Sequence, residues 1–195
     1  MKTRNRFFAA ALGLLLLGAA SSGWAQPKVW MTPAEIMAAL KPGQWVQMEG
    51  TIQKDLTVMC TQLKIMTGDF LDDDWSLVGI VRKVDQEKQQ MEIMRIPVKV
   101  HKDTEYENEA GTFKSFSQVK VGSFVEVEGT YLKDGTFLAK EIEDESQKLA
   151  EDSGLENTIE AEGKVEKVDV AKSTFTVMGM TIKITNQTKS RSVIR

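Results

Sequence analysis

The sequence predicts a mainly β protein of two five-stranded barrels, one complete in the sequence and one circularly permuted around it, with short helices. Three observations predict it. The stretch Gly43-Gln44-Trp45-Val46-Gln47-Met48-Glu49-Gly50-Thr51-Ile52-Gln53-Lys54-Asp55 recurs without a gap as Gly122-Ser123-Phe124-Val125-Glu126-Val127-Glu128-Gly129-Thr130-Tyr131-Leu132-Lys133-Asp134. A different stretch, Gly79-Ile80-Val81-Arg82-Lys83-Val84-Asp85, recurs as Gly163-Lys164-Val165-Glu166-Lys167-Val168-Asp169, and its register holds onward to Thr104 and Thr188. Finally, Val125, Val127 and Gly129 alternate with Phe124, Glu126 and Glu128, the period-two pattern of a strand with one face to a core. Repeats constrain architecture before any local reading does.

The first residues read as an export signal. Lys2, Arg4 and Arg6 precede the apolar run from Phe7 to Ala20, and Gly23-Trp24-Ala25 places small residues where a signal peptidase reads. The run falls short of the roughly 20 apolar residues that cross a bilayer, so no membrane span is expected after cleavage at Ala25. A bacterial periplasmic or secreted location follows. The segment carries three positive charges and no negative ones, so its removal takes the formal net charge from −3 to −6. Such acidity opposes binding to a phosphate backbone, and nucleic acid is not an expected partner.

Along the mature chain, Thr32-Pro33-Ala34-Glu35 is a capping box with proline at the first helical position. It opens a short helix from Pro33 to about Leu40, with Ile36, Met37 and Leu40 on one face. Lys41-Pro42-Gly43 ends that helix and a strand runs from Trp45 to Gln53. In the second copy Phe116, Val119 and Val121 repeat the apolar spacing, although Thr112 to Val119 is a weaker helix former. Asp134-Gly135 predicts a two-residue hairpin turn with positive φ at both positions, leading into a strand from Phe137 to Glu143. Asp55-Leu56 stands in its place in the first copy, and leucine is a poor resident of the left-handed region, so a different turn is expected there.

The other repeated unit reads as a strand, a polar turn and a long or broken second strand. In one copy these are Leu77 to Asp85, Gln86 to Gln89, then Met91 to Arg95 and Pro97 to His101. In the other they are Ala161 to Asp169, then Phe175 to Met178 and Met180 to Thr185. Joining the units gives strand, strand, strand, short helix, strand, strand, the order of an OB-like barrel. Residues 77–143 hold one complete copy. Residues 26–66 and 160–195 hold the two halves of another, which close within one chain as a monomer or between chains as a domain-swapped dimer. Acidic connectors occupy residues 67–76 and 144–159, the second with room for a short helix before Ser153-Gly154.

Gly79 to Asp85, Thr104, Val121 to Gly129 and Asp134 to Ile142 together resemble a family of small exported bacterial OB-like domains catalogued as of unknown function. That resemblance implies a fold and no activity. The layout is more distantly similar to the periplasmic OB-fold copper chaperone, which holds Cu(I) with methionines, a histidine and a tryptophan. Here Met178-Gly179-Met180 falls in the corresponding region, but Ile182 and Thr185 stand where a further methionine and a histidine would.

The remaining chemistry is sparse. His101 is the single histidine and sits at a strand end, away from any serine or cysteine partner, so it reads as a surface side chain. Cys60 is the single cysteine; it aligns with Ala139 and reads as a small buried hydrophobe. Asp69, Asp72, Asp73 and Asp74 could offer oxygens to calcium, but they lack the alternation and internal glycine of an EF-hand loop and read as a solvated turn. Among the methionines, Met91, Met94, Met178 and Met180 are those whose clustering would make a soft-metal site. Trp45 aligns with Phe124 as a packing aromatic, while Trp30 and Trp75 would mark a binding patch if exposed together. The expectation is a non-enzymatic exported module without a cofactor, binding a protein or envelope component. Its alternative is a periplasmic Cu(I)-binding protein that uses Met178 and Met180.

Overall fold

A computed structural model describes residues 31–67 and 75–194 of the chain and shows a mainly β protein. The expected signal segment, Trp30 and the aspartates Asp69, Asp72, Asp73 and Asp74 lie outside the described residues. The first helix, α1 (Pro33–Ala39), forms as its cap dictates. Thr32 accepts from the Glu35 amide through its hydroxyl, the Glu35 carboxylate accepts from the Thr32 amide at 2.7 Å, and Ile36 and Met37 are buried. In the second copy the weaker helix former yields only a 3₁₀ turn at Phe116–Gln118.

The strands are β1 (Trp45–Ile52), β2 (Val58–Thr67), β3 (Trp75–Asp85), β4 (Gln90–Ile93), β5 (Ile96–Lys99), β6 (Glu105–Glu107), β7 (Phe124–Tyr131), β8 (Phe137–Asp144), β9 (Thr158–Asp169), β10 (Thr174–Val177), β11 (Met180–Lys183) and β12 (Lys189–Ile194). Their hydrogen bonds run in two circuits that each return to their start. One passes β1, β2, β11, β10, β9 and back to β1. The other passes β7, β8, β5, β4, β3 and back to β7. Each circuit carries a short further strand beyond the five expected, β12 parallel to β2 and β6 parallel to β8. Residues 76–78 of β3 also pair with residues 160–162 of β9, which joins the circuits into one sheet.

The N-terminal strands are thus completed by C-terminal ones of the same chain. The two ends of the described residues approach one another: the Ser190 hydroxyl lies 3.8 Å from the Met31 sulfur. Between the circuits, α2 (Ser146–Glu151) and a 3₁₀ turn at Ser153–Asn157 occupy most of the stretch read as the second connector. Strand β3 begins at Trp75, two residues inside the stretch read as the first.

Matching irregularities confirm that the repeats are structural. Both β1 and β7 bulge before a glycine, at Glu49/Gly50 and Glu128/Gly129. A Cβ on Gly50 would lie 2.6 Å from the Met59 carbonyl oxygen, and one on Gly129 would run into that of Leu138, so neither strand tolerates a side chain there. The broken strands of the other unit break at tight two-residue turns with positive φ at both positions, Met94 (44°) and Arg95 (65°) in one copy, Met178 (50°) and Gly179 (70°) in the other.

The hairpin loops depart from expectation in both copies. Gly135 donates to the Leu132 carbonyl and Leu132 to that of Thr136, enclosing three residues, and only Gly135 (φ 84°) is left-handed. This is the three-residue hairpin with glycine in the left-handed position, not a two-residue turn. The first copy does not differ: Leu56 donates to Gln53, Gln53 to Thr57, and Leu56 itself takes φ 65°. An aspartate organises both loops, Asp55 accepting from the Thr57 amide and Asp134 from that of Thr136.

One apolar core runs through both circuits and includes Val46, Leu63, Val81, Val127, Phe137, Phe175 and Ile182. Phe137 and Phe175 are fully buried, and truncation of either to alanine would cost about 3–5 kcal/mol.

Candidate functional site

An open groove of about 930 Å³ crosses the outer faces of β10, β11 and β2. Two loops wall it, and each is held by an aspartate. On one side Asp169 accepts from the Lys172 amide and brings the β9–β10 turn back through Ser173 (φ 54°). On the other stands the Lys54-Asp55-Leu56 loop. The floor carries Thr174, Thr176 and Thr181, with Met59 beside them and Phe175 buried beneath.

The groove is cationic on an acidic protein. Lys54, Lys167, Lys172 and Lys183 line it against Asp55 and Asp169. Lys172 stands 3.6 Å from the Asp169 carboxylate, and the Lys183 ammonium donates to the Lys172 carbonyl at 2.7 Å. Lys54 and Lys167 are exposed and have no carboxylate partner among the described residues.

All six charged positions recur at the equivalent place in the other circuit, as Lys133, Lys83, Lys88, Lys99, Asp134 and Asp85. The cross-strand partner of the lysine on β3 and β9 differs. Glu92 is the cross-strand partner of Lys83 and its carboxylate takes the ammonium at 2.9 Å. The same place beside Lys167 is held by Thr176, so the lysine of the permuted copy keeps its charge free.

Two further clusters escaped sequence reasoning. Trp45 and Trp75 pack tilted at 54° with ring centroids 5.2 Å apart, Trp75 meets Tyr131 at 5.6 Å, and the Lys164 ammonium sits 5.5 Å above the Trp45 ring. A Cβ on Gly163 would run into the Trp75 ring, so that glycine makes room for the indole. Trp75 is therefore a partly buried joint between β1, β3 and β9, not half of an exposed pair. The second cluster is acidic: carboxylate oxygens of Glu126, Glu143 and Glu145 lie within 4.8 Å of one another. Burial, then the charges of Glu145, Glu128 and Glu143, push Glu126 up to about 8, opposed by a hydrogen bond from Ser76 at 3.2 Å. Burial, Glu49 and Glu145 push Glu160 up to about 7, opposed by Lys148. Lys148 also pairs directly with Glu145. Strand alternation alone placed Glu126 on a solvent face; the signal available was the density of glutamates from Glu141 to Glu145.

The residues singled out in the sequence do not converge. Met178 and Met180 are buried in the core, 1% and 4% exposed, which removes the solvent-reachable thioether pair on which a soft-metal reading rests. Met91 is buried and Met94 partly so. His101 is exposed, its Nδ1 accepting from the Asp103 amide at 3.3 Å. Cys60 is buried, donates to the Gln62 carbonyl, and burial pushes its thiol up to about 12, far from a reactive thiolate.

The family described as Domain of unknown function (DUF5666) matches residues 78–143 and 162–193, half of the chain. No curated protein and no solved structure matches it.

Proposed function

Because this chain belongs to the family described as Domain of unknown function (DUF5666), a description that names a domain and no activity, we propose its function from geometry: it is an exported binding module of the bacterial envelope, periplasmic or secreted, and not an enzyme. In this reading each strand circuit is an OB-like barrel, β9, β10, β11, β1 and β2 forming the permuted one and β3, β4, β5, β7 and β8 the central one. The permuted barrel closes within one chain, and the protein is a monomer.

The observation that carries the reading is the position of the groove. In OB-like order β10 and β11 are strands two and three, and the walls are the loops between strands one and two and between strands four and five. Ligands of that architecture lie across this face. A groove of this size suits a segment of a larger partner or a medium-sized ligand. Catalysis has little to work with, since His101 faces solvent beside Asp103 and the Cys60 thiol is protonated in the core. Export rests on the basic and apolar run that opens the sequence.

A photo-crosslinking residue at exposed Thr181, introduced into the protein in the cells that export it, tests the groove. Adducts at Thr181 and not at exposed Val121 of the other circuit are expected; labelling equal at both positions, or none at Thr181, would overturn the reading.

A further inference from the structure

We infer that the groove binds an acidic polypeptide segment in extended form, its carboxylates taken by Lys54, Lys167, Lys172 and Lys183. This deepens the binding-face reading and rests on it. The first support is what the two copies keep and what they change. The aspartates recur for a structural reason, because Asp169 and Asp85 each accept a turn amide from Lys172 and Lys88, and Asp55 and Asp134 organise the hairpin loops. No such duty explains Lys54 and Lys133, or Lys167 and Lys83. Their ammonium groups hold no turn and lie at the surface, yet they stand at matched positions, while Thr174, Phe175, Thr181 and Met59 are replaced by Gln90, Met91, Pro97 and Leu138.

The second support is the exchange of Glu92 for Thr176. The glutamate neutralises Lys83 at 2.9 Å, so the permuted groove is the more cationic of two faces that share these six charged positions. A charge left unpaired on one copy and paired on the other is available to an external anion on the first alone.

The third is the floor. Thr174, Thr176 and Thr181 offer hydroxyls that both donate and accept, suited to a peptide main chain. Phe175 is buried and no aromatic face is presented for bases to stack on, while the net negative charge of the protein opposes a long polyphosphate. A short acidic peptide meets four lysines without bringing that charge density. In an extended segment, carboxylates on alternate residues fall about 6.5–7 Å apart on one side, a spacing that lysines from two strands and two loops can meet.

Fluorescence anisotropy on the purified protein tests this with three labelled probes: a glutamate-serine peptide of a dozen residues, its glutamine-serine counterpart, and an oligothymidylate of equal length. The glutamate peptide is expected to bind at least tenfold more tightly than the glutamine one, and to weaken steeply from about 50 to about 200 mM salt. Thr176→Glu, which gives Lys167 the partner Lys83 already has, is expected to lower that affinity at least tenfold with an unchanged melting temperature. Glu92→Thr is expected to raise the number of peptides bound. Equal affinity for the two peptides, binding untouched by Thr176→Glu, or tighter binding of the oligothymidylate would overturn the inference. If Thr181 adducts form with a partner while the glutamate peptide fails to bind, the acidic ligand falls and the binding face stands; if neither appears, both fall.

Discussion

The hydroxyl of Thr188 donates to the main-chain carbonyl of Cys60 at 2.8 Å, joining the C-terminal segment to the N-terminal one across 128 positions of sequence. Thr104 does the same for the Ala139 carbonyl, also at 2.8 Å, inside the central circuit. Each threonine in addition accepts from the amide three residues before it, Thr185 or His101, and so fastens a turn and a strand at once. Thr188→Val and Thr104→Val each strand a buried carbonyl and an amide, and each is expected to lower stability by about 1–3 kcal/mol. Denaturant midpoints would show it; a loss at Thr104 alone would mean that the N- and C-terminal strands are not held together as described.

Arg95 and Gly179 occupy the same left-handed position of matched turns, with φ 65° and 70°. An L side chain there costs about 1–2 kcal/mol. Arg95 is exposed, so Arg95→Gly should stabilise by about 1 kcal/mol and Gly179→Arg should destabilise by a similar amount. Urea unfolding of the two variants checks the sign.

Glu126 and Glu160 titrate well above the ordinary carboxylate range, at about 8 and about 7. Between pH 4.5 and 8 the folded protein therefore binds more protons than the unfolded chain, and stability falls as pH rises. The favourable contribution is complete below the unfolded pKa and gone once pH passes the folded values, a change on the order of a few kcal/mol. Glu126→Gln should flatten this slope and stabilise the protein at alkaline pH. Melting temperatures across the range test it, and a curve that rises with pH would refute the burial of these groups.

Gly163 is the space into which the Trp75 ring fits. Gly163→Ala forces the indole away, with an expected cost of about 1–3 kcal/mol and a shift in tryptophan emission. Trp75→Leu in the same chain should recover part of the loss, a coupling that a double-mutant cycle measures; independent effects would mean that the two do not touch.

The helix at Pro33 is legible because its capping box is local, and the matched strands because burial alternates along them. The loop at Leu56 is not. Side-chain preference argues against φ 65° there, but the register of β1 on β2 and the Asp55 carboxylate dictate the loop, and the leucine follows. The groove is only half legible: the repeated lysines stand in plain sight, whereas their assembly brings Lys54 and Lys183, far apart in sequence, to the lining of one groove. Glu126 was misplaced for a related reason, since the residues that bury it and crowd it with charge come from β3, β8 and the start of α2.

The junction of β1 with β9 has a consequence for the order in which the protein is made. β1 and β2 emerge first, while the strand that covers the free edge of β1 begins at Thr158, over a hundred residues later. In the interval the central circuit has all its strands and can fold, but the N-terminal hairpin waits with an open edge, the condition in which strands recruit wrong neighbours. Contacts of such long sequence separation also slow folding. A chain cut short before β9 should therefore aggregate through its own N-terminus even though its middle is sound.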